Sequence, residues 1–326
     1  MRRGRLLLLL PLFAFACARH ESRTFAHAPV ILISIDTLRA DHLPAYGYKN
    51  VETPAIDAFR HDAILFENAY SHVPMTLPSH VALLTGLLPP NNGVRNNLGY
   101  TLDARAHPAV SNVLAESGYA TGAAVSAYVL RGPTGLANCF QTYDDVIPAR
   151  AGVAVGELSR PGKQTIAIAQ QWIAAHRAQP FFYFVHLFEP HTPYEPIEPF
   201  RSRYPSAYDG EIATADSYAG AFFDWLKQQK IYDDALIILL SDHGEGLGDH
   251  GEQEHGVLLY RETLHVPLLI KLPHAQNAGA TIREPVQLID VAPTILAALG
   301  VAAPKAMTGA ALLGAIPAAR SIYGET

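Results

Sequence analysis

Thiols are almost absent from this chain: of 326 residues, only Cys17 and Cys139 are cysteine. Cys17 falls in an N-terminal processing segment, which leaves Cys139 without a partner and excludes a disulfide framework. Charge is scarce as well, at 17% of residues, and no basic run interrupts a formal net charge of −6. That balance excludes a nucleic-acid backbone as partner. A small anionic substrate would instead have to meet a local positive site, a metal ion or a histidine cluster. The apolar run Leu6 to Phe15 is too short to span a bilayer comfortably.

Against these shortages stand a 49% hydrophobic content, enough for one large α/β domain or two smaller ones, and 15 histidines. Several of the histidines fall close to expected strand ends, the pattern of a ligand or proton-transfer cluster.

Met1-Arg-Arg-Gly-Arg followed by Leu6 to Phe15 has the charged and apolar regions of a secretory signal, and Ala14 and Ala16 suit a cleavage site. Cys17 resembles the lipidated cysteine of bacterial lipoproteins, although Phe15 departs from the usual small-residue pattern. The expectation is an exported protein, periplasmic or envelope-anchored in a bacterium, with residues 1–17 as signal, 28–300 as catalytic domain and 301–326 as an Ala/Gly-rich tail.

Three runs read as strands buried on both faces, because they lack polar alternation: Val30 to Ile35, Pro180 to Phe188 and Leu236 to Leu240. The first ends in Asp36 and the third in Ser241-Asp242-His243. In open α/β sheets the carboxyl edge of the strands is where ligands bind, and Asp with His can hold a metal. His186, inside the second run, is expected to support a ligand from behind, whereas His191, in the loop Glu189-Pro-His-Thr-Pro193, is expected to do chemistry.

Between these strands the sequence predicts helices from Pro54, from Pro78-Ser79, over Ala109 to Gly118, Gln164 to Arg177, Tyr208 to Lys230 and Gln287 to Leu299. Small residues from Tyr119 on predict a strand ending near Ser126, and His265 to Lys271 a further strand. Thr76 would sit at or just before a helix N-terminus, where backbone N–H groups favour negative charge. Capping by Thr76 and Ser79 fits the same residues equally well. Residues 131–160 are rich in Gly, Pro and Asp and yield no assignment. The loop Gly244 to His255 is too polar for a core and brings His255 next to Asp242-His243.

Four motifs, Ile33 to Leu43, Thr76 to Gly86, Phe188 to Tyr194 and Ser241 to Glu245, resemble in order the signatures of the sulfatase branch of the alkaline phosphatase superfamily, over roughly residues 30 to 300. The resemblance implies an α/β sandwich with a central, mostly parallel sheet flanked by helices. It also implies metal ligation by Asp36, Asp242 and His243, and Thr76 as nucleophile. Asn97, Ser126, His80, His191 and His255 fall where relatives hold substrate oxygens or protonate the leaving group. One divalent cation is implied, Ca²⁺ by family, with Mn²⁺ or Zn²⁺ also suited to two carboxylates and an imidazole.

Two departures bear on the chemistry. Formylglycine sulfatases need Cys or Ser within Cys/Ser-x-Pro-x-Arg, whereas here the stretch is Thr76-Leu-Pro-Ser-His80. A threonine could be oxidised only to a ketone, so Thr76 would have to act as an ordinary alkoxide. Thr37 stands where many sulfatases carry a further ligating carboxylate. The expected activity is metal-dependent hydrolysis of sulfate, phosphate or phosphonate esters through a covalent Thr76 intermediate. A head-group transferase of the cell envelope and a non-catalytic binding protein stay open as alternatives.

Overall fold

In the computed structural model, which describes residues 24–149 and 151–326, the apolar runs form the middle of an eight-stranded sheet. The expected signal, with Ala14, Ala16 and Cys17, lies outside the described residues. In chain order the strands are β1 (Val30–Ile35), β2 (Ile64–Phe66), β3 (Ala69–Tyr70), β4 (Ala120–Ala124), β5 (Thr142–Asp144), β6 (Phe181–Leu187), β7 (Leu236–Leu240), β8 (His265–Val266), β9 (Leu268–Lys271), β10 (Thr281–Ile282) and β11 (Val286–Gln287). The large sheet runs β10-β2-β9-β7-β1-β6-β4-β5, and β11-β3-β8 form a smaller one.

Every residue of β1, β6 and β7 is buried, and alternate side chains enter two separate cores. Val30, Leu32, Phe182, Phe184, Leu236 and Ile238 join one core with the helices Thr76–Thr85, Val110–Glu116 and Val291–Leu299. Ile31, Ile33, Tyr183, Val185, Ile237 and Leu239 join the other with Pro54–Asp62, Gly162–His176 and Ala207–Gln228. Truncating one of these side chains, Ile238→Ala for example, is expected to cost about 2–5 kcal/mol, since such packed sites collapse poorly.

The sheet is parallel except for β9, which runs against both β2 and β7. The single strand expected over His265 to Lys271 is therefore divided: β8 pairs with β3 in the small sheet, and β9 turns into the large one. At the far end of β9, the buried Lys271 ammonium donates to the carbonyls of Tyr232, Asp233 and Ala235, closing the turn that leads into β7.

The register places the site. Ser34 of β1 lies opposite Leu240 of β7 and His186 of β6, so Asp36 and Asp242, each two residues further on, leave the sheet side by side. The 301–326 tail packs on the domain: Thr308 N donates to Gly86 O, Ala310 N to Asp290 Oδ1, and Arg320 clamps both Asp290 carboxylate oxygens at 2.6 and 2.8 Å.

Candidate metal and nucleophile centre

Asp36, Asp242 and His243 are fully buried and bring one ligand atom each to within 4.8 Å of one another, the one such trio among the described residues. None of the four carboxylate oxygens of Asp36 and Asp242 has a hydrogen-bond partner. Burying charged oxygens with neither partner nor water is among the most unfavourable arrangements in a protein. Burial raises the Asp36 carboxyl to about 7, and burial together with the Asp36 charge holds Asp242 well above the ordinary range. Orphaned oxygens facing a neutral imidazole form a donor set that fits a divalent cation.

His243 is oriented for such a role. Its Nδ1 donates to Gly244 O at 2.9 Å, which assigns the lone pair to Nε2, 3.4 Å from Asp242 Oδ2 and 3.6 Å from Asp36 Oδ1. The turn permits this only because residue 244 is glycine; a Cβ there would lie 1.9 Å from Glu262 O. Two hydroxyls pin the same turn: Ser79 Oγ donates to Asp242 O at 2.7 Å and Ser241 Oγ to His243 O at 2.6 Å.

Thr76 is the first residue of the helix Thr76–Thr85, with Met75 as the cap residue and no side chain capping it. The capping role is thus not the one Thr76 plays. Its Oγ1 contacts His243 Nε2 at 3.3 Å, beside the orphaned carboxylates. Leu77 N donates to Asn97 Oδ1 at 2.8 Å, which turns the Asn97 amide so that its NH₂ group is the end left to donate.

A cavity of about 140 Å³ opens in front of Thr76, lined among others by Asp36, Asn97, His191 and His255. The two histidines are 5.1 Å apart, edge to face, yet their environments push them in opposite directions. Burial, then the neighbouring His255, lowers His191 to about 4. Burial also works against charge on His255, but the Glu245 hydrogen bond and charge outweigh it and raise that imidazole. His255 Nδ1 donates to Glu245 Oε1 at 3.0 Å, and Tyr194 donates to Glu245 Oε2 at 3.0 Å.

Two expected substrate contacts are corrected. His80 is fully buried behind the helix end: Nδ1 donates to Thr76 O at 2.7 Å, Nε2 accepts from Ser34 Oγ at 2.9 Å, and burial holds the ring well below its ordinary pKa. Lying one helical turn from Thr76, it points inward with the core side of that helix. Ser126 is also buried; its Oγ pairs with Thr165 Oγ1 at 2.7 Å and its N–H with His186 Nδ1 at 3.4 Å. It reaches the site only through His186, whose Nε2 stands 3.3 Å from Asp36 Oδ2.

Sequence reasoning missed five residues at or beside the site. Glu245 ends the motif Ser241 to Glu245, and its spacing from His255 in a polar loop is the signal that could have found it. Thr37 stands where relatives carry a carboxylate, and its buried Oγ1 has no partner and adjoins Asp36. Ala154, Gly156 and Glu157, from the unassigned 131–160 stretch, line the cavity, and nothing local in that stretch marks them.

A sequence model of the Sulfatase family matches residues 29–301. Arylsulfatase K of Xenopus laevis is 24% identical over 94% of this chain and 71% of its own length. A multifunctional alkaline phosphatase superfamily protein of Trinickia caryophylli is 40% identical over 33% of this chain and 21% of its own. Among solved structures, the phosphonate monoester hydrolase of Agrobacterium radiobacter superposes with a TM-score of 0.72 at 23% identity, covering 88% of this chain and 76% of that one. That likeness speaks for the fold; the family match, which spans most of the chain, places the protein in the sulfatase family.

Proposed function

We propose that this protein is a metal-dependent hydrolase of sulfate, phosphate or phosphonate esters that works through a covalent Thr76 ester. Relatives in the family are sulfate and phosphonate ester hydrolases and generally use a divalent metal ion. The observation that carries the reading is Thr76 Oγ1 at a helix N-terminus, 3.3 Å from His243 Nε2 and beside the unpartnered carboxylates. Asp36, Asp242 and His243 would hold the cation. When bound, it lowers the pKa of the Thr76 hydroxyl and offsets negative charge on the ester oxygens.

The chain's own groups divide the remaining work. Thr76 Oγ1 loses its proton to solvent through the cavity and bonds to sulfur or phosphorus, while the bond to the leaving oxygen breaks. Asn97 donates its NH₂ to an oxygen of the ester as charge spreads over it. His255, held by Glu245 and tuned toward the imidazolium, gives its proton to the leaving alkoxide. His191, tuned toward neutrality, orients the leaving group. In the second half a water attacks the Thr76 ester and gives a proton to His255, the bond from Thr76 Oγ1 to sulfur or phosphorus breaks, and Thr76 Oγ1 regains a proton from solvent.

The test compares aryl sulfate, phosphate monoester, phosphate diester and phosphonate substrates on metal-stripped protein and after Ca²⁺, Mn²⁺ or Zn²⁺ is restored. Metal-dependent turnover is expected, with phosphate or phosphonate preferred because Thr76 cannot become formylglycine. Thr76→Ala should remove it and leave the circular dichroism spectrum unchanged. Turnover retained by Thr76→Ala would sink the assignment, and silence of the intact protein on every substrate would favour a binding protein.

A second variant separates the steps. His255→Gln should lower kcat by about 10²–10⁴-fold for alkyl esters, whose leaving groups need a proton, and far less for 4-nitrophenyl esters, whose leaving groups do not. Equal losses on both would remove His255 from the role of acid.

A further inference from the structure

A second cavity, of about 320 Å³, adjoins the first and shares Glu157, Phe188 and His191 with it. Its walls are acidic to a degree that the proposed hydrolysis does not require: besides Glu157 they carry Glu189, Glu195 and Glu211. Of the cations near these carboxylates, Arg160 itself lines the cavity and Arg201 acts on Glu211, but both have partners of their own. Arg160 pairs with Asp144 and donates to Thr165 Oγ1 at 2.9 Å, and Arg201 donates to Pro196 O at 3.0 Å. Glu189 accepts the Gly162 N–H at 3.0 Å, and a side chain at position 162 would collide with that carboxylate at 2.7 Å.

Glu211 decides the reading. It is 4% exposed, and its Oε2 has no hydrogen-bond partner. Burial, then the Glu189 charge, pushes its carboxyl up to about 8. A buried carboxylate with an open oxygen, on the wall of a cavity and near other carboxylates, is a place where a cation would be stabilised. A bare metal ion does not suit it, because among the described residues only Asp36, Asp242 and His243 bring three ligand atoms within 4.8 Å. The cavity is instead large enough for an organic group, and its wall includes the aromatic residues Phe188, one face of which stacks on His191, and Tyr218, a residue type that attracts ammonium ions.

We propose that this cavity binds an ammonium group on the leaving-group alcohol, so that the substrate is the oxyanion ester of an amino or quaternary-ammonium alcohol. The inference rests on the hydrolase reading for its placement on the leaving-group side, through the shared His191. Glu211, Glu189 and the two rings make it a specificity site and take no part in bond breaking.

The test is binding of choline and of ethanolamine to the full chain by titration calorimetry, with 3,3-dimethylbutan-1-ol as the neutral isostere of choline. At least one of the two cations is expected to bind about 10-fold or more tightly than the neutral alcohol. In titrations at about pH 9, where the Glu211 carboxyl is ionised, Glu211→Gln should weaken that binding by about the same factor, since it removes charge and keeps shape, and should leave 4-nitrophenyl ester turnover within about twofold. Glu189→Gln, which retains an acceptor for Gly162, serves as a second variant should the first fail to fold. Equal binding of cation and isostere, absence of binding by both cations, or indifference to both substitutions would overturn the proposal. Cation binding that follows these expectations in a protein without ester turnover would support the subsite and reject the hydrolase reading.

Discussion

At the scale of single residues, the site is a set of side chains whose protonation is tuned by burial and by one or two neighbours. Glu211 shows the effect on stability. Its carboxyl titrates near 4.5 ordinarily and is pushed up to about 8 in the fold. Below the lower value both folded and unfolded chains carry the proton; between the two the folded chain keeps it and the unfolded chain has released it. Stability from this group is therefore present at low pH and lost as pH rises toward 8. Melting temperatures of the wild type and Glu211→Gln, followed from about pH 4 to pH 9, should show the variant gaining on the wild type through that window. A difference that does not change with pH would remove Glu211 from the account.

At the scale of elements, what the sequence made legible is what local pattern controls. Unbroken apolar runs announced β1, β6 and β7, and a carboxylate at the end of a buried run announced the sheet edge that gathers Asp36 and Asp242. Direction was not legible: the stretch from His265 to Lys271 looked like one strand, and Pro267 does not reveal that β9 would pair antiparallel. Depth was not legible either. His80 and Ser126 have the right chemistry at the right distance along the chain, but which side of a helix or strand end faces the cavity depends on packing against Ser34 and Thr165, 46 and 39 positions away. The same limit hid what steadies the loop of Asn97, a residue to which the resemblance itself pointed. Arg95 of that loop forms a bidentate pair with Glu325 at 2.7 and 2.8 Å, and Glu325 N donates to His72 O, so the far end of the chain steadies a group proposed to hold substrate. Glu325→Gln should raise KM by roughly 2–5-fold with kcat little changed, in keeping with the modest worth of a half-exposed pair; a fall in kcat alone would contradict this positioning role.

At the scale of the whole molecule, export remains a proposal carried by Met1 to Cys17. Expressed in a bacterium from its full gene, the chain is expected in the envelope fraction, and Cys17→Ala is expected to release it in soluble form; both forms in the cytoplasm would refute the reading. The architecture has a consequence of its own for metal choice. Asp36 and Asp242 stand abreast just beyond the ends of neighbouring strands whose backbones lie about 4.8 Å apart and are clamped between two packed cores. The sheet thus acts as a fixed gauge: the gap between the carboxylates cannot breathe to suit a larger or smaller ion without shearing β1 past β7. A lineage shifting its metal would have to change the reach of the side chains, by an Asp-to-Glu exchange or by recruiting a neutral oxygen such as that of Thr37, and leave the strands where they are.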